Sequence, residues 1–141
     1  MGKRSEVIRI DGITVLNDSY NANPDSVVEA LKTLRLMKPK GRRVAVLGDM
    51  LELGAKAEDE HRKIGRALTR FSVEGLFTFG PLSRHTYEAA TVRVKSYTTD
   101  KGALVEQLSA FLSDGDVVLV KGSRGMKMEE VVARLLETTK A

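Results

Sequence analysis

A chain of 141 residues has room for one ordinary hydrophobic core. Its 42% hydrophobic and 30% charged residues describe a globular domain rather than a disordered one, and the absence of cysteine removes disulfides and thiolate metal sites. The formal charge of +4 and pI near 9.4 favour small anions such as a nucleotide. Charges of both signs are interspersed without a long like-charged block, and tryptophan is absent, so no nucleic-acid partner is expected. No apolar run approaches the roughly 20 residues of a membrane helix. Met1 to Glu6 also lack the hydrophobic centre of a secretory signal, so neither a membrane partner nor export is expected and the location is read as cytoplasmic.

Two short apolar strands over 6–10 and 13–17 flank Asp11-Gly12, a dipeptide suited to a tight hairpin. The polar run Asp18-Ser19-Tyr20-Asn21-Ala22-Asn23-Pro24 follows. A helix is predicted over 23–37, with Asn23 as N-cap, Pro24 at the first helical position and Asp25 complementing the dipole. Strand and helix then alternate: strand 43–47, helix 58–71, strand 76–79, helix 83–90, strand 92–97, helix 102–112, strand 117–120 and helix 128–137. Strands that are apolar throughout imply burial on both faces. The predicted fold is therefore α/β: a Rossmann-like, mostly parallel sheet with helices on both faces, led by an N-terminal antiparallel β-hairpin, as a single domain over 1–141.

In such sheets ligands collect beyond the carboxyl ends of the strands. Three polar segments fall there. Asp18, Tyr20, Asn21 and Asn23 carry groups suited to ribose hydroxyls and base edges, or alternatively shape the turn and cap the helix. Gly48 to Gly54 brings Asp49 and Glu52, which could orient an ammonium group, hold Mg²⁺ through water, meet a basic side chain from elsewhere or remain solvated. Lys121, Ser123 and Arg124 could hold a carboxylate or phosphate, or form a solvated turn. His61 and His85 are the only histidines, so a histidine metal cluster is not expected, and His61 reads as packing or capping. No G-x-x-x-x-G-K-[ST] motif occurs, so the chain lacks the usual grip on triphosphate.

The runs Asn17-Asp18-Ser19-Tyr20-Asn21-Ala22-Asn23-Pro24-Asp25-Ser26, Gly48-Asp49-Met50-Leu51-Glu52-Leu53-Gly54 with His61, and Val118-Leu119-Val120-Lys121-Gly122-Ser123-Arg124 occur in this order. Together they resemble the C-terminal domain of the Mur ligase family, in its D-alanyl-D-alanine-adding branch. Arg4-Ser5-Glu6 is similar to the Arg-x-Glu stretch that opens this domain. The resemblance implies one lobe of an ATP- and Mg²⁺-dependent enzyme that forms an acyl phosphate on UDP-MurNAc-tripeptide and joins it to D-alanyl-D-alanine. It implies N-terminal and central domains as partners, a monomer, and no catalytic residue, bound cofactor or activity in this lobe alone. It gives Arg4, Asp18, Tyr20, Asn21 and Asn23 to the nucleotide, and Asp49, Glu52, Lys121, Ser123 and Arg124 to the amine donor or a phosphate near it. Folylpolyglutamate- or cyanophycin-type ligase domains, and a free-standing nucleotide-binding module, are the alternatives.

Overall fold

The computed structural model describes residues 5–140. Strand β1 (Glu6–Ile10) turns through Asp11 and Gly12 into β2 (Ile13–Asp18), which it pairs in antiparallel register with Ile10 opposite Ile13. Both turn residues have positive φ, 49° and 76°, the backbone that matches the twist of paired strands. Helix α1 (Pro24–Leu36) starts as expected: Asn23 Oδ1 accepts from the Ser26 N–H at 2.9 Å, and Ser26 Oγ accepts in return from the Asn23 N–H.

The remaining elements alternate. They are β3 (Arg43–Gly48), α2 (Ala57–Ala67), β4 (Gly75–Phe79), α3 (Ser83–Ala89), β5 (Val94–Thr98), α4 (Lys101–Phe111), β6 (Val117–Lys121) and α5 (Glu129–Lys140). The single helix expected over 58–71 is divided: α2 ends at Ala67 and a 3₁₀ turn continues over Leu68–Phe71. Ser72, at φ 58°, closes that turn, so the chain drops into β4.

The six strands lie in the order β1-β2-β6-β3-β4-β5, and every neighbouring pair after the first is parallel. The last strand is thus inserted between the second and the third. Alternate residues of the central strands feed two cores. Ala45, Leu47, Leu76 and Leu119 pack with Leu31 and Leu34 of α1 and with Ile64 of α2. Val44, Val46, Phe77, Val118 and Val120 pack with Leu104 and Leu108 of α4 and with Val131 and Leu135 of α5. Helices therefore cover both faces, the Rossmann-like arrangement the sequence predicts. Parallel strands put every carboxyl end of β2, β6, β3, β4 and β5 on one rim of the sheet.

Candidate functional site

Strands β2, β6 and β3 are neighbours, so the three polar segments meet along that rim. In register, Asp18 stands opposite Lys121, which in turn stands opposite Leu47. Lys121 Nζ donates to Asp18 Oδ2 at 2.9 Å and to the Asn21 carbonyl at 2.9 Å. Among the described residues, Oδ1 of Asp18 accepts no hydrogen bond, and the side chain is 20% exposed. The Asp18 carboxylate is thus anchored through one oxygen and open through the other. Tyr20 lies beside it, with the Arg124 guanidinium 5.3 Å from its ring centroid, a distance suited to cation–π contact.

Ser123 ties the segments together. Its hydroxyl donates to the Ala22 carbonyl at 3.1 Å and accepts from the Leu51 N–H at 2.7 Å, while its own N–H donates to the Asp49 carbonyl at 2.9 Å. Beneath it, a Cβ on Gly122 would lie 2.6 Å from Met128 Cγ and 3.2 Å from Gly48 Cα. The ends of β6 and β3 can approach this closely only with glycine there.

Asp49 corrects the expectation that it meets a ligand. It is 2% exposed, and its carboxylate accepts from the Ser83 N–H at 2.7 Å and the Leu82 N–H at 3.2 Å, covering the first turn of α3. Gly80, at φ 113°, leaves room for it; a Cβ there would come within 2.5 Å of the carboxylate. The loop acid is consumed as a helix cap. Glu52, the other acid of that loop, is exposed and sits at φ 64°.

Asn23 is spent on capping α1, and the exposed Asn21 accepts from the Ala22 N–H through Oδ1 at 2.9 Å. His61 takes the packing role: it is 1% exposed, Nε2 accepts from the Met50 N–H at 3.0 Å, and Nδ1 lies 2.7 Å from the Ala57 carbonyl. These contacts require the neutral tautomer protonated at Nδ1. The histidine holds the β3–α2 loop onto its helix. Arg4 lies outside the described residues.

One rim feature escaped the sequence reading. An open cleft of about 520 Å³ is lined by Gly54, Ala55, Ala57, Glu58, Asp59, Arg62 and Leu82. Arg62 bridges Glu58 at 3.2 Å and Asp59 at 3.0 Å, and His85 Nε2 lies 3.9 Å from Glu58. The Glu58–Arg62 spacing of four is visible in the sequence, but it reads as an ordinary helix-surface pair. Only the fold brings Leu82 and His85 to it. Among the described residues, no group of three or more acidic or histidine side chains could hold a metal ion, and no helix is long and apolar enough to cross a membrane.

Comparison with known proteins places the chain in a family and agrees with its fold. Residues 3–124 match the family model described as Mur ligase, glutamate ligase domain. The chain is 37% identical to the UDP-N-acetylmuramoyl-tripeptide–D-alanyl-D-alanine ligase of Bacillus subtilis, over 97% of the chain and 31% of that relative. It is 40% identical to the ligase of the same name from Escherichia coli, over 87% of the chain and 27% of that relative. The solved MurF ligase of Thermotoga maritima, in complex with ADP, superposes with a TM-score of 0.81 at 26% identity, covering 95% of the chain and 30% of that structure. The chain therefore spans about a third of the length of these relatives. With the fold and the matched residues in agreement, the chain belongs to the Mur ligase family, as its C-terminal domain.

Proposed function

We propose that this domain is the closing lobe of an ATP-dependent ligase that adds D-alanyl-D-alanine to UDP-MurNAc-tripeptide, and that its rim receives the nucleotide ribose. The observation that carries the reading is Asp18: a half-anchored carboxylate at the carboxyl end of a parallel strand, its second oxygen open to a hydroxyl donor. Ribose hydroxyls donate well to such an oxygen. Tyr20 and the exposed Asn21 follow it in the same loop, with Asn23 fixing the helix behind them. On the amine-donor side, Arg124 and Glu52 offer one cation and one anion to a zwitterionic dipeptide. The ligase activity for which the relatives are named and the ADP in the Thermotoga maritima structure support this reading.

In that scheme the carboxylate of the tripeptide is first activated by transfer of the ATP γ-phosphoryl group. The dipeptide amine then attacks the acyl phosphate and phosphate leaves. The lobe's contribution is orientation and exclusion of water from the activated carboxyl group. The described residues gather no group of three acidic or histidine side chains that could hold Mg²⁺ by themselves. The chain also has no P-loop, so it is expected not to ligate alone.

A chimera tests the reading. The domain replaces the matching part of the Bacillus subtilis relative, and ADP release is followed with UDP-MurNAc-tripeptide and D-alanyl-D-alanine. The chimera should turn over, and Asp18→Asn should raise the KM for ATP by about tenfold or more, from a lost charge-assisted bond of roughly 1.5–3 kcal/mol. Turnover with glutamate instead of the dipeptide would move the domain to a sister ligase. An unchanged KM for ATP in Asp18→Asn would end the ribose assignment.

A further inference from the structure

Of the three polar side chains that β6 and its following turn deliver to the rim, Arg124 is exposed, whereas Lys121 and Ser123 are buried. Lys121 is 3% exposed and Ser123 is 5% exposed. A group that grips a ligand carboxylate or phosphate must offer it hydrogens not already given to the protein. The single hydroxyl hydrogen of Ser123 goes to the Ala22 carbonyl, and two of the three ammonium hydrogens of Lys121 go to Asp18 and Asn21.

We propose that Lys121 and Ser123 are positioning residues, which aim Asp18 and lock the Asp18–Asn23 loop to the Met50–Glu52 loop without touching nucleotide or dipeptide. The functional half of this inference rests on the ribose reading of Asp18; the structural half does not. Lys121 reaches across 103 residues of sequence to one oxygen of Asp18, which holds Oδ2 and leaves Oδ1 without a partner among the described residues. The same ammonium holds the Asn21 carbonyl, so the loop that carries Tyr20 is pinned at both sides. Ser123 Oγ is a single atom shared by two loops, accepting from Leu51 and donating to Ala22. Neither loop can shift relative to the other without stretching one of those bonds. The close contact of Gly122 with Gly48 and Met128 leaves the strand ends no slack to compensate.

Two measurements test this, the first on the 141-residue chain and the second on the chimera described above. The first is backbone amide exchange. The Leu51 amide should stay protected in Ser123→Thr, which keeps the hydroxyl, and exchange about tenfold faster or more in Ser123→Ala, from the loss of a bond near 1.4 kcal/mol. Amides inside β3, such as that of Val46, should be unchanged in both. Equal Leu51 exchange in Ser123→Ala and the parent would overturn the lock.

The second is a double-mutant cycle on ADP binding to the chimera, followed by calorimetric titration, with Asp18→Asn, Lys121→Met and the pair. If Lys121 acts through Asp18, each single change weakens ADP binding about fivefold or more and the pair is no worse than the poorer single. Additive losses would mean that Lys121 meets the nucleotide directly and would overturn its positioning role. Should Lys121→Met not fold, Lys121→Gln keeps a donor and takes its place in the cycle. ADP binding that is equal in the parent and Asp18→Asn would remove the ribose reading, while the Leu51 exchange would still decide the lock.

Discussion

Asp116, at the foot of β6, is 1% exposed and takes hydrogen bonds from the Arg42 N–H at 2.8 Å, the Ser113 N–H at 2.9 Å and the Arg42 guanidinium at 2.8 Å. Arg42 also stacks on the Phe111 ring, 3.8 Å from its centroid. Burial pushes the Asp116 carboxyl up, but the bonds from the Arg42 side chain and the two backbone N–H groups outweigh it and hold the group below its ordinary value. A carboxyl lowered by folding contributes stability that is present above the unfolded value near ~3.9 and lost as pH falls through the folded value. Asp116→Asn should therefore cost about 2 kcal/mol at neutral pH, with a flatter loss of stability below about pH 4. Urea unfolding between neutral and acid pH reads both, and parallel acid limbs for the two proteins would refute the assignment. Nothing in the sequence marks this pair, because its partners lie 74 residues apart. The Asn23 cap and the Asp11-Gly12 turn, by contrast, were legible because their chemistry closes within three or four residues. Asp49 shows the opposite limit. Its position in the rim loop could be read from the sequence, but the helix it caps lies 33 residues further on.

Among the elements, α2 and α3 show how tightly this face is fitted. Gly65 of α2 sits against the Thr86 carbonyl, and a Cβ there would also lie 3.0 Å from the Ala89 Cβ. Thr86 Oγ1 donates to the His61 carbonyl at 3.0 Å, so the helices are bonded as well as packed. Gly65→Ala should destabilise by about 2 kcal/mol, since backbone has to move to admit a methyl group. Gly102, in the first turn of α4, meets nothing closer than 3.5 Å, and Gly102→Ala should raise stability by about 0.5 kcal/mol through lost chain entropy. Thermal unfolding of the two variants gives the comparison, and a loss in Gly102→Ala equal to that in Gly65→Ala would contradict it. Helix and strand types were readable from periodicity, as were most boundaries to within two residues. The break after Ala67 was not, because Leu68-Thr69-Arg70-Phe71-Ser72 carries neither glycine nor proline. Tertiary packing of Leu68 and Phe71 into the core sets it.

For the molecule as a whole, strand order decides how the parts depend on one another. Without β6, strands β2 and β3 have no hydrogen-bonded contact, and each presents a bare edge. A chain ending at Leu112 should therefore show no cooperative unfolding transition and no protected amides in β3, measured by calorimetry and hydrogen exchange. Retention of a sharp transition would mean that β3, β4 and β5 form a unit by themselves. The rim depends on the same strand. Sequence alone placed the three polar segments at strand ends, but the adjacency of Asp18 and Lys121 follows from a pairing that joins residues 103 apart.

That threading has a consequence for synthesis. A growing polypeptide leaves the ribosome from its amino end, so the hairpin and the middle layers emerge well before the piece that must slot between them. Until it arrives, two sticky backbone margins wait apart, open to the wrong neighbour. The nascent domain should thus be most prone to clumping late in translation, and the pocket-forming groups become a unit only at the very last stage of its birth.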